Sequence, residues 1–258
     1  MTIWIDPPGW AAHGHLWSHL VSDESLAELH EFARAGGLPP RGFEGDHYDV
    51  PDVRYAAVVG AGAVPTDSRD LVRRLRASGL RMQKGKGETG VARVEGVRFA
   101  DGSSADVDLI ASGRLAADGR VFAAMVFVRD AEGSFAVVHS IRRGQWGAPG
   151  GWREGSETMH ENAVREVREE TGLDLDPGGL VPCGYERFHH RSPDALWSPG
   201  RDLLQAFRTD LDVVRPPLAS RLDDTSDRRW VTPQGFDALC RGEFWWPLAQ
   251  RVFDLDAG

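Results

Sequence analysis

The stretch "GGWREGSETMHENAVREVREETGL", residues 150–173, decides the fold of the C-terminal part of the chain. Residues 158–171 are predicted to form a helix, because apolar residues recur there with helical spacing on one face, namely Met159, Ala163 and Val167. Ser156 or Glu157 is expected to begin this helix, and Gly172 to end it. The segment is therefore predicted to be a glycine-rich loop followed by an amphipathic helix.

The polar face of this helix carries three carboxylates, Glu166, Glu169 and Glu170. Like charges at these spacings repel each other, and carboxylates near a helix C-terminus oppose the helix dipole, each at a cost of a few tenths of a kcal/mol. A hard divalent cation such as Mg²⁺, which takes oxygen ligands, would compensate for this repulsion. The alternative is a solvated acidic face that Arg165 and Arg168 neutralise.

The spacing of the whole segment favours the metal. It resembles the Nudix box, G-x5-E-x7-R-E-U-x-E-E-x-G-U, where U is aliphatic. Every fixed position of that box is met, by Gly151, Glu157, Arg165, Glu166, Val167, Glu169, Glu170, Gly172 and Leu173. Nine constrained positions within 23 residues argue against a chance match.

The resemblance implies an α/β fold, a three-layer α/β/α sandwich with a mixed sheet over residues 91–258. It also implies Mg²⁺ or Mn²⁺ bound against a substrate pyrophosphate by Glu166, Glu169, Glu170 and the backbone carbonyl of Gly150. Arg165 would pair with Glu157 and orient the carboxylates. Either Glu166 or Glu169 would act as general base, and members of the family differ in that choice.

Residues outside the box complete the predicted site. In many family members a later acidic side chain contributes, and "RLDDTSDRRWV" offers Asp223, Asp224 and above all Asp227, with a solvated loop as the alternative. In "RRGQWGAPGG", Arg142 and Arg143 are candidates for binding phosphate, while Trp146 is either a base-stacking residue or a core or lid residue. His189 and His190 are expected on a loop near the substrate.

The polar, glycine-rich stretch "QKGKGETG", residues 83–90, predicts a linker between the box domain at 91–258 and a small α/β domain at 1–82. In the small domain, "SDESLAELHEFARAGG" predicts a helix capped by Ser22 or Asp23. Residues 1–82 resemble a small uncharacterised domain that precedes Nudix domains in actinobacteria. That resemblance implies no activity.

Histidines are concentrated in the first 47 residues, together with nearby aspartates. The set comprises His13, His15, His19, His30, His47, Asp6, Asp46 and Asp49. These residues could bind a metal such as Zn²⁺, or they could cap, pack and hydrogen-bond within the fold. The sequence leaves both interpretations open.

Composition narrows the function further. A net charge of −9 disfavours non-specific nucleic-acid binding and favours a small-molecule partner. No run is long and apolar enough to span a membrane, and the N-terminus lacks the features of a signal peptide, so a cytoplasmic protein is expected. Cys183 and Cys240 are too few for a disulfide framework and are expected to be buried.

These observations predict a metal-dependent hydrolase that acts on a nucleoside triphosphate or on a nucleoside diphosphate linked to another group. One alternative is a nucleotide sensor that uses the box domain without turnover. Another is a bifunctional enzyme with a second activity in the N-terminal domain. Many members of the family form dimers, and the resemblance leaves a monomer and a homodimer open.

Overall fold

The computed structural model describes residues 2–190, 200–219 and 225–255 of the chain. It divides into two compact units, Met1–Val91 and Ala92–Gly258, each with its own sheet. No helix within these described ranges has both the length and the apolar character that crossing a membrane requires.

The N-terminal unit is built on a small mixed sheet. Its strands are β1 (Ile3–Ile5), β2 (Trp10–Ala12), β3 (His15–Ser22), β4 (Tyr48–Pro51) and β5 (Val64–Pro65). Its helices are α1 (Leu26–Ala35), α2 (Asp52–Gly60) and α3 (Ser68–Ala77). Strand β3 pairs antiparallel with β1, β2 and β4, and β1 pairs parallel with β5. The long strand β3 thus organises the sheet.

Two features of this unit differ from the sequence prediction. Helix α1 is capped by Ser25, whose hydroxyl accepts from the Glu28 amide at 3.1 Å, and not by Ser22 or Asp23. Ser22 still belongs to β3, so the chain cannot turn into a helix there. Strands β2, β3 and β4 were not predicted, because β2 and β4 are only three and four residues long and the histidines and serines of β3 do not alternate cleanly with apolar residues.

The C-terminal unit contains a nine-stranded mixed sheet. Its strands are β6 (Thr89–Arg98), β7 (Ser104–Ala111), β8 (Val121–Arg129), β9 (Phe135–Ser140), β10 (Gln145–Gly147), β11 (Gly150–Trp152), β12 (Val181–His190), β13 (Leu203–Asp210) and β14 (Thr225–Val231). Its helices are α4 (Met159–Thr171), α5 (Pro233–Cys240) and α6 (Trp246–Phe253). The predicted α/β class with a mixed sheet is confirmed.

Strand β8 is the centre of this sheet. Residues 121–128 are all buried, as expected for an apolar run covered on both faces. On one side β8 runs parallel to β13, and on the other it pairs antiparallel with β11. Strands β8 and β9 are paired only between Arg129 and Phe135, so the sheet opens there, and β9 lies between β10 and β14. This opening places the short strand β11 beside β8.

Helices cover both faces of the sheet. On one face His160 of α4 contacts Phe207 of β13, with ring centroids 4.9 Å apart. On the other face Phe127 of β8 contacts Phe236 of α5 and Phe253 of α6. Phe207 pairs with Val126, the neighbour of Phe127 on β8, and successive strand residues point to opposite faces. The C-terminal unit is therefore the predicted three-layer sandwich.

Local contacts determine where α4 begins and ends. Thr158 caps it, in place of the predicted Ser156 or Glu157, and Thr158 and Glu161 each accept a hydrogen bond from the other's backbone amide. Such a cap contributes about 1 kcal/mol. Gly172 ends the helix at φ 75°, and a Cβ there would lie 2.7 Å from the carbonyl oxygen of Ala219. The register of α4, and with it the direction of its glutamates, is thereby set.

Candidate active site

The three box glutamates lie in different environments at the side of α4 that faces β11. The side chains of Glu166 and Glu169 are 11% and 27% exposed, and Glu170 is buried. One carboxylate oxygen of Glu170 accepts a hydrogen bond from the Gly150 amide at 2.9 Å. Burial of Glu170 is thus partly compensated by the backbone of the glycine-rich strand, while Glu169 stays accessible to a ligand.

The two glycines of β11 permit this close approach of strand and helix. A Cβ on Gly151 would lie 2.5 Å from a carboxylate oxygen of Glu166, and one on Gly150 would lie 2.5 Å from the Ala124 carbonyl oxygen. Real Cβ atoms do not make such contacts, so a larger residue would push the carboxylate or the strand away. The glycines therefore bring the backbone against the acidic face of α4.

Arg165 connects the carboxylates to one another. Its Nε donates to Glu157 at 2.7 Å and its Nη2 donates to the same carboxylate at 3.2 Å. Its Nη1 donates to Glu166 at 3.0 Å and to Glu169 at 2.9 Å, and Nη2 also donates to the Trp152 carbonyl at 2.8 Å. A planar guanidinium can hold several acceptors in this way because its donors have a fixed geometry. Arg168, by contrast, is exposed on the same helix.

The charges of this network are not balanced. Glu157, Glu166, Glu169 and Glu170 carry four negative charges when ionised and Arg165 carries one positive charge, which leaves −3 for the five side chains. Burial raises the pKa of the Glu166 carboxyl to about 6, although Arg165 pulls this pKa downward. The hydrogen bond from Arg165 lowers the pKa of Glu157. The donor set is rich in oxygen and short of positive charge, so it fits a hard divalent cation.

The carboxylates of Glu166, Glu169 and Glu170 do not converge on one point. Among the described residues, oxygens of Glu166, Glu169 and Glu170 do not all lie within 4.8 Å of one another, since Arg165 lies between the first two and Glu170 is turned to Gly150. A cation that takes Glu166 and Glu169 can bind each carboxylate through the oxygen that does not accept from Arg165 Nη1, so Arg165 can keep positioning both groups.

A cavity of about 400 Å³ borders the glycines of β11, a size typical of small-molecule sites. The three residues predicted to bind substrate, Arg142, Arg143 and Trp146, all line it. The rest of its wall is largely aromatic, and is formed by Phe99, Phe122, Trp152, Phe188, Phe244 and Trp245. Flat apolar walls of this kind suit a planar ring, and the two arginines suit an anionic group.

Three other predicted residues, His189, His190 and Asp227, lie in strands. His189 and His190 end strand β12, where the His189 ring is 2.9 Å from Asp108, so the expected loop position was wrong. Asp227 lies inside β14, is half exposed, and accepts a hydrogen bond from Arg229. Its role as a metal ligand stays a prediction. Asp223 and Asp224 fall outside the described residues.

Sequence reasoning missed Glu186, which also lines the cavity. It is fully buried in β12, and neither of its carboxylate oxygens has a hydrogen-bond partner among the residues that the structure describes. Burial raises the pKa of Glu186 to about 8, which Arg143 lowers only partly. The one available signal was the charged pair Glu186 and Arg187 within the otherwise strand-like "VPCGYERF".

Two family models match the chain, one within each unit. The NUDIX domain model matches residues 119–247, and DUF4031, a protein family of unknown function, matches residues 3–78. Phosphatase NudJ of Escherichia coli (strain K12) is 29% identical over 139 residues, which cover 47% of this chain and 91% of NudJ.

Solved structures are more distantly similar. The pyrophosphohydrolase BsRppH of Bacillus subtilis is 16% identical, with a TM-score of 0.44 over 63% of this chain and 95% of that protein. A MutT/nudix family protein from Enterococcus faecalis is also 16% identical, with a TM-score of 0.34 over 45% of this chain and 46% of that one. The chain thus spans less than half the length of the latter protein.

The NUDIX match covers 129 of the 258 residues (119 to 247), which is half of the chain, and it includes the entire box. The chain therefore belongs to the Nudix family, whose hydrolases act on phosphorus-containing anhydrides.

Proposed function

We propose that the C-terminal unit is a pyrophosphohydrolase that depends on Mg²⁺ or Mn²⁺. Its substrate is a nucleoside triphosphate or a nucleoside diphosphate linked to another group, and water attacks a phosphorus atom of the pyrophosphate. The observation that carries this proposal is the network of four carboxylates around Arg165, beside a cavity lined by arginines and aromatic rings.

The box supplies the groups that would hold the cation, namely Glu166, Glu169, Glu170 and the carbonyl of Gly150. Divalent ions neutralise pyrophosphate oxygens and make water a stronger nucleophile near neutral pH. The excess of carboxylates over cationic groups in the network supports this assignment, as does the choice of oxygen donors, which Mg²⁺ and Mn²⁺ prefer.

The remaining residues of the chain bind and orient. Glu166 or Glu169 accepts the proton of the attacking water, and both lie within hydrogen-bond distance of Arg165, which positions them. Arg142 and Arg143 contact substrate phosphates as cationic donors, and Trp146 stacks on the base. Trp146 is itself held in place, because the guanidinium carbon of Arg229 lies 4.3 Å from its ring centroid.

The proposal is tested by product-resolved hydrolysis with the full chain. The substrates are nucleoside triphosphates, 8-oxo-dGTP, ADP-ribose, nucleoside diphosphate sugars and dinucleotides, each with Mg²⁺ or Mn²⁺ and with EDTA. We expect cleavage of a pyrophosphate bond in at least one substrate, loss of cleavage in EDTA, and one ¹⁸O atom from labelled water in a phosphate product. Binding of nucleotides without any turnover would instead favour a sensor, and the hydrolase proposal would be rejected.

We propose further that Glu186 helps to select the substrate. A buried carboxyl without a hydrogen-bond partner is costly, by about 1–3 kcal/mol, unless a ligand supplies that partner. Because Glu186 lines the cavity, the matching ligand group is a hydrogen-bonding edge of a base or sugar. A substrate without that group would leave the carboxyl unsatisfied and would be disfavoured.

Replacement of Glu186 by glutamine is expected to change how stability depends on pH. The pKa of Glu186 is about 8 in the folded protein against an ordinary value of 4.5, so the folded state holds the proton more tightly. The contribution of Glu186 to stability is therefore most favourable below about pH 4.5 and falls as pH rises toward 8, and Glu186→Gln abolishes this part of the loss. The difference in unfolding free energy between Glu186→Gln and the wild type should shift in favour of the variant by roughly 4 kcal/mol from pH 5 to pH 8.5, because about three pH units of linkage at about 1.4 kcal/mol each lie in that interval.

The measurement is chemical denaturation of the metal-free protein at both pH values. Glu132→Gln is the matched control, since Glu132 has the same charge but is 60% exposed. Glu166 titrates in the same window in all three proteins, so its effect cancels in the comparison. Equal pH dependence in the wild type and in Glu186→Gln would contradict the assigned burial of this carboxyl.

A further inference from the structure

Three side chains that commonly bind metals meet on the sheet of the N-terminal unit. His19 of β3 is the direct cross-strand partner of Asp49 of β4, and His47 precedes Asp49 by two residues. His47 itself lies just before β4, and its Nε2 atom is 3.4 Å from Asp49 Oδ1. One ring nitrogen from each histidine and one oxygen of Asp49 all lie within 4.8 Å of one another.

Both histidines are oriented by a buried carboxylate on their other ring nitrogen. His19 Nδ1 lies 3.1 Å from Asp6, and His47 Nδ1 lies 2.5 Å from Asp46. Asp6 and Asp46 are 3% and 0% exposed. This arrangement leaves the Nε2 atom of each ring for another partner, and histidines that ligate metals usually have a carboxylate or carbonyl on the opposite nitrogen.

The two orienting aspartates are themselves held by hydrogen bonds. Asp6 accepts from the Ser68 hydroxyl at 2.7 Å and from the His19 amide at 2.6 Å. Asp46 accepts from the Met82 amide at 2.8 Å. The rings are thus fixed by groups from several parts of the unit, as a preorganised site requires.

The third side chain, Asp49, has one carboxylate oxygen that forms an ion pair with His47 but accepts no hydrogen bond from the described residues. Its Oδ1 atom is shielded from water and has no hydrogen-bond donor within the described parts of the chain, although His47 Nε2 lies 3.4 Å away. A buried carboxylate oxygen without a partner is costly, and a bound cation would remove that cost. This atom faces the His47 ring nitrogen that a metal would use, so one cation would be bound by both groups.

We propose that His19, His47 and Asp49 bind a divalent transition metal ion, with Zn²⁺ as the best match, and that the ion keeps an open coordination position. Two imidazoles and one carboxylate suit Zn²⁺ and do not suit Mg²⁺, which prefers oxygen. Structural zinc sites are closed by four protein ligands, whereas sites with three leave room for water or a substrate.

The proposed site borders solvent. The His19 side chain is 35% exposed, and the Trp10 ring, which is 40% exposed as a residue, stacks on it with centroids 6.2 Å apart. A small ligand could therefore reach the ion along the face that Trp10 borders. This inference concerns the N-terminal unit alone and does not rest on the proposed function of the C-terminal unit.

Zinc content of the full chain tests the inference. Metal-free protein is loaded with Zn²⁺ in excess Mg²⁺, which competes for the box carboxylates, then dialysed and analysed by mass spectrometry. We expect one zinc ion per chain in the wild type. Asp49→Asn and His19→Gln should reduce zinc affinity by at least about 100-fold, since even changes to outer carboxylates reduce metal affinity by about 10- to 100-fold.

His15→Gln is the matched control. His15 Nδ1 lies 3.0 Å from Asp52, so the control removes a histidine–carboxylate pair from the same unit, at an exposed place outside the proposed ligand set. It should bind zinc like the wild type. Melting temperatures of all variants without metal show that each is folded, and Zn²⁺ should raise the melting temperature only of the wild type and His15→Gln.

Two results would overturn the inference. One is a wild type that holds no zinc. The other is a zinc affinity of Asp49→Asn that equals that of His15→Gln. This result would mean that Asp49 serves only as an ion-pair partner of His47, and the variant would then differ from the wild type only in the stability of the metal-free protein.

Discussion

Replacement of Glu169 by glutamine is expected to lower kcat by about 10²- to 10⁴-fold, the range associated with loss of a general base. Glu169 is the most exposed of the three box glutamates, and Arg165 Nη1 donates to it at 2.9 Å. Glutamine keeps the shape and can still accept this hydrogen bond, but it has neither the charge that attracts a cation nor the basicity to take a proton. The variant should therefore fold normally and fail in chemistry.

The measurement is the rate of pyrophosphate cleavage across a Mg²⁺ or Mn²⁺ titration, which separates weaker metal binding from slower chemistry. Glu161→Gln is the matched control on the same helix, because Glu161 belongs to the capping box and glutamine preserves that motif. Similar rates for the two variants would contradict the assignment of Glu169 to the catalytic machinery.

Replacement of Arg165 by lysine is expected to lower activity by about 10- to 100-fold, as changes in groups that orient metal ligands commonly do. Lysine keeps the positive charge but cannot hold Glu157, Glu166 and Glu169 together with the Trp152 carbonyl through a planar fork. The carboxylates would lose their relative positions, and the metal concentration at half-maximal activity should rise.

That shift in metal dependence is the decisive readout, because a merely structural role for Arg165 would lower the amount of folded protein without changing it. Arg168→Lys makes the same chemical change three residues further along α4 at an exposed position and should behave like the wild type. A folded Arg165→Lys protein with unchanged rate and metal dependence would show that the guanidinium does not position the site.

Much of the C-terminal fold was predictable because local physics determines it. The continuous apolar run of β8 indicates a strand covered on both faces, and the spacing of Met159, Ala163 and Val167 indicates a helix with one buried face. The predicted capping residues of α4 lie one or two residues before the true cap, Thr158. Several polar residues before Met159 can cap a helix, and only the reciprocal hydrogen bonds of Thr158 and Glu161 distinguish among them.

The N-terminal sheet was less predictable. Strand β3 carries Ser18 and Ser22 on its buried face, where alternation would require apolar residues, and histidines on the opposite face. Its histidines were recognised as candidate metal ligands, but the sequence did not distinguish His19 and His47 from the exposed His15. That distinction depends on strand pairing, because His19 lies opposite Asp49 of β4 whereas His15 lies opposite Ala12 of β2.

The sequence by itself determined the Nudix family, the helical register of Glu166, Glu169 and Glu170, and the glycines that let the backbone approach them, because these depend on spacing within a single short segment. Tertiary structure alone decided that Arg165 lies between two of the glutamates, that Glu186 is buried without a partner, and that Asp49 meets His19 and His47. The physical reason is that burial and convergence arise when distant strands pair and pack, and the sequence of one strand does not specify its neighbours.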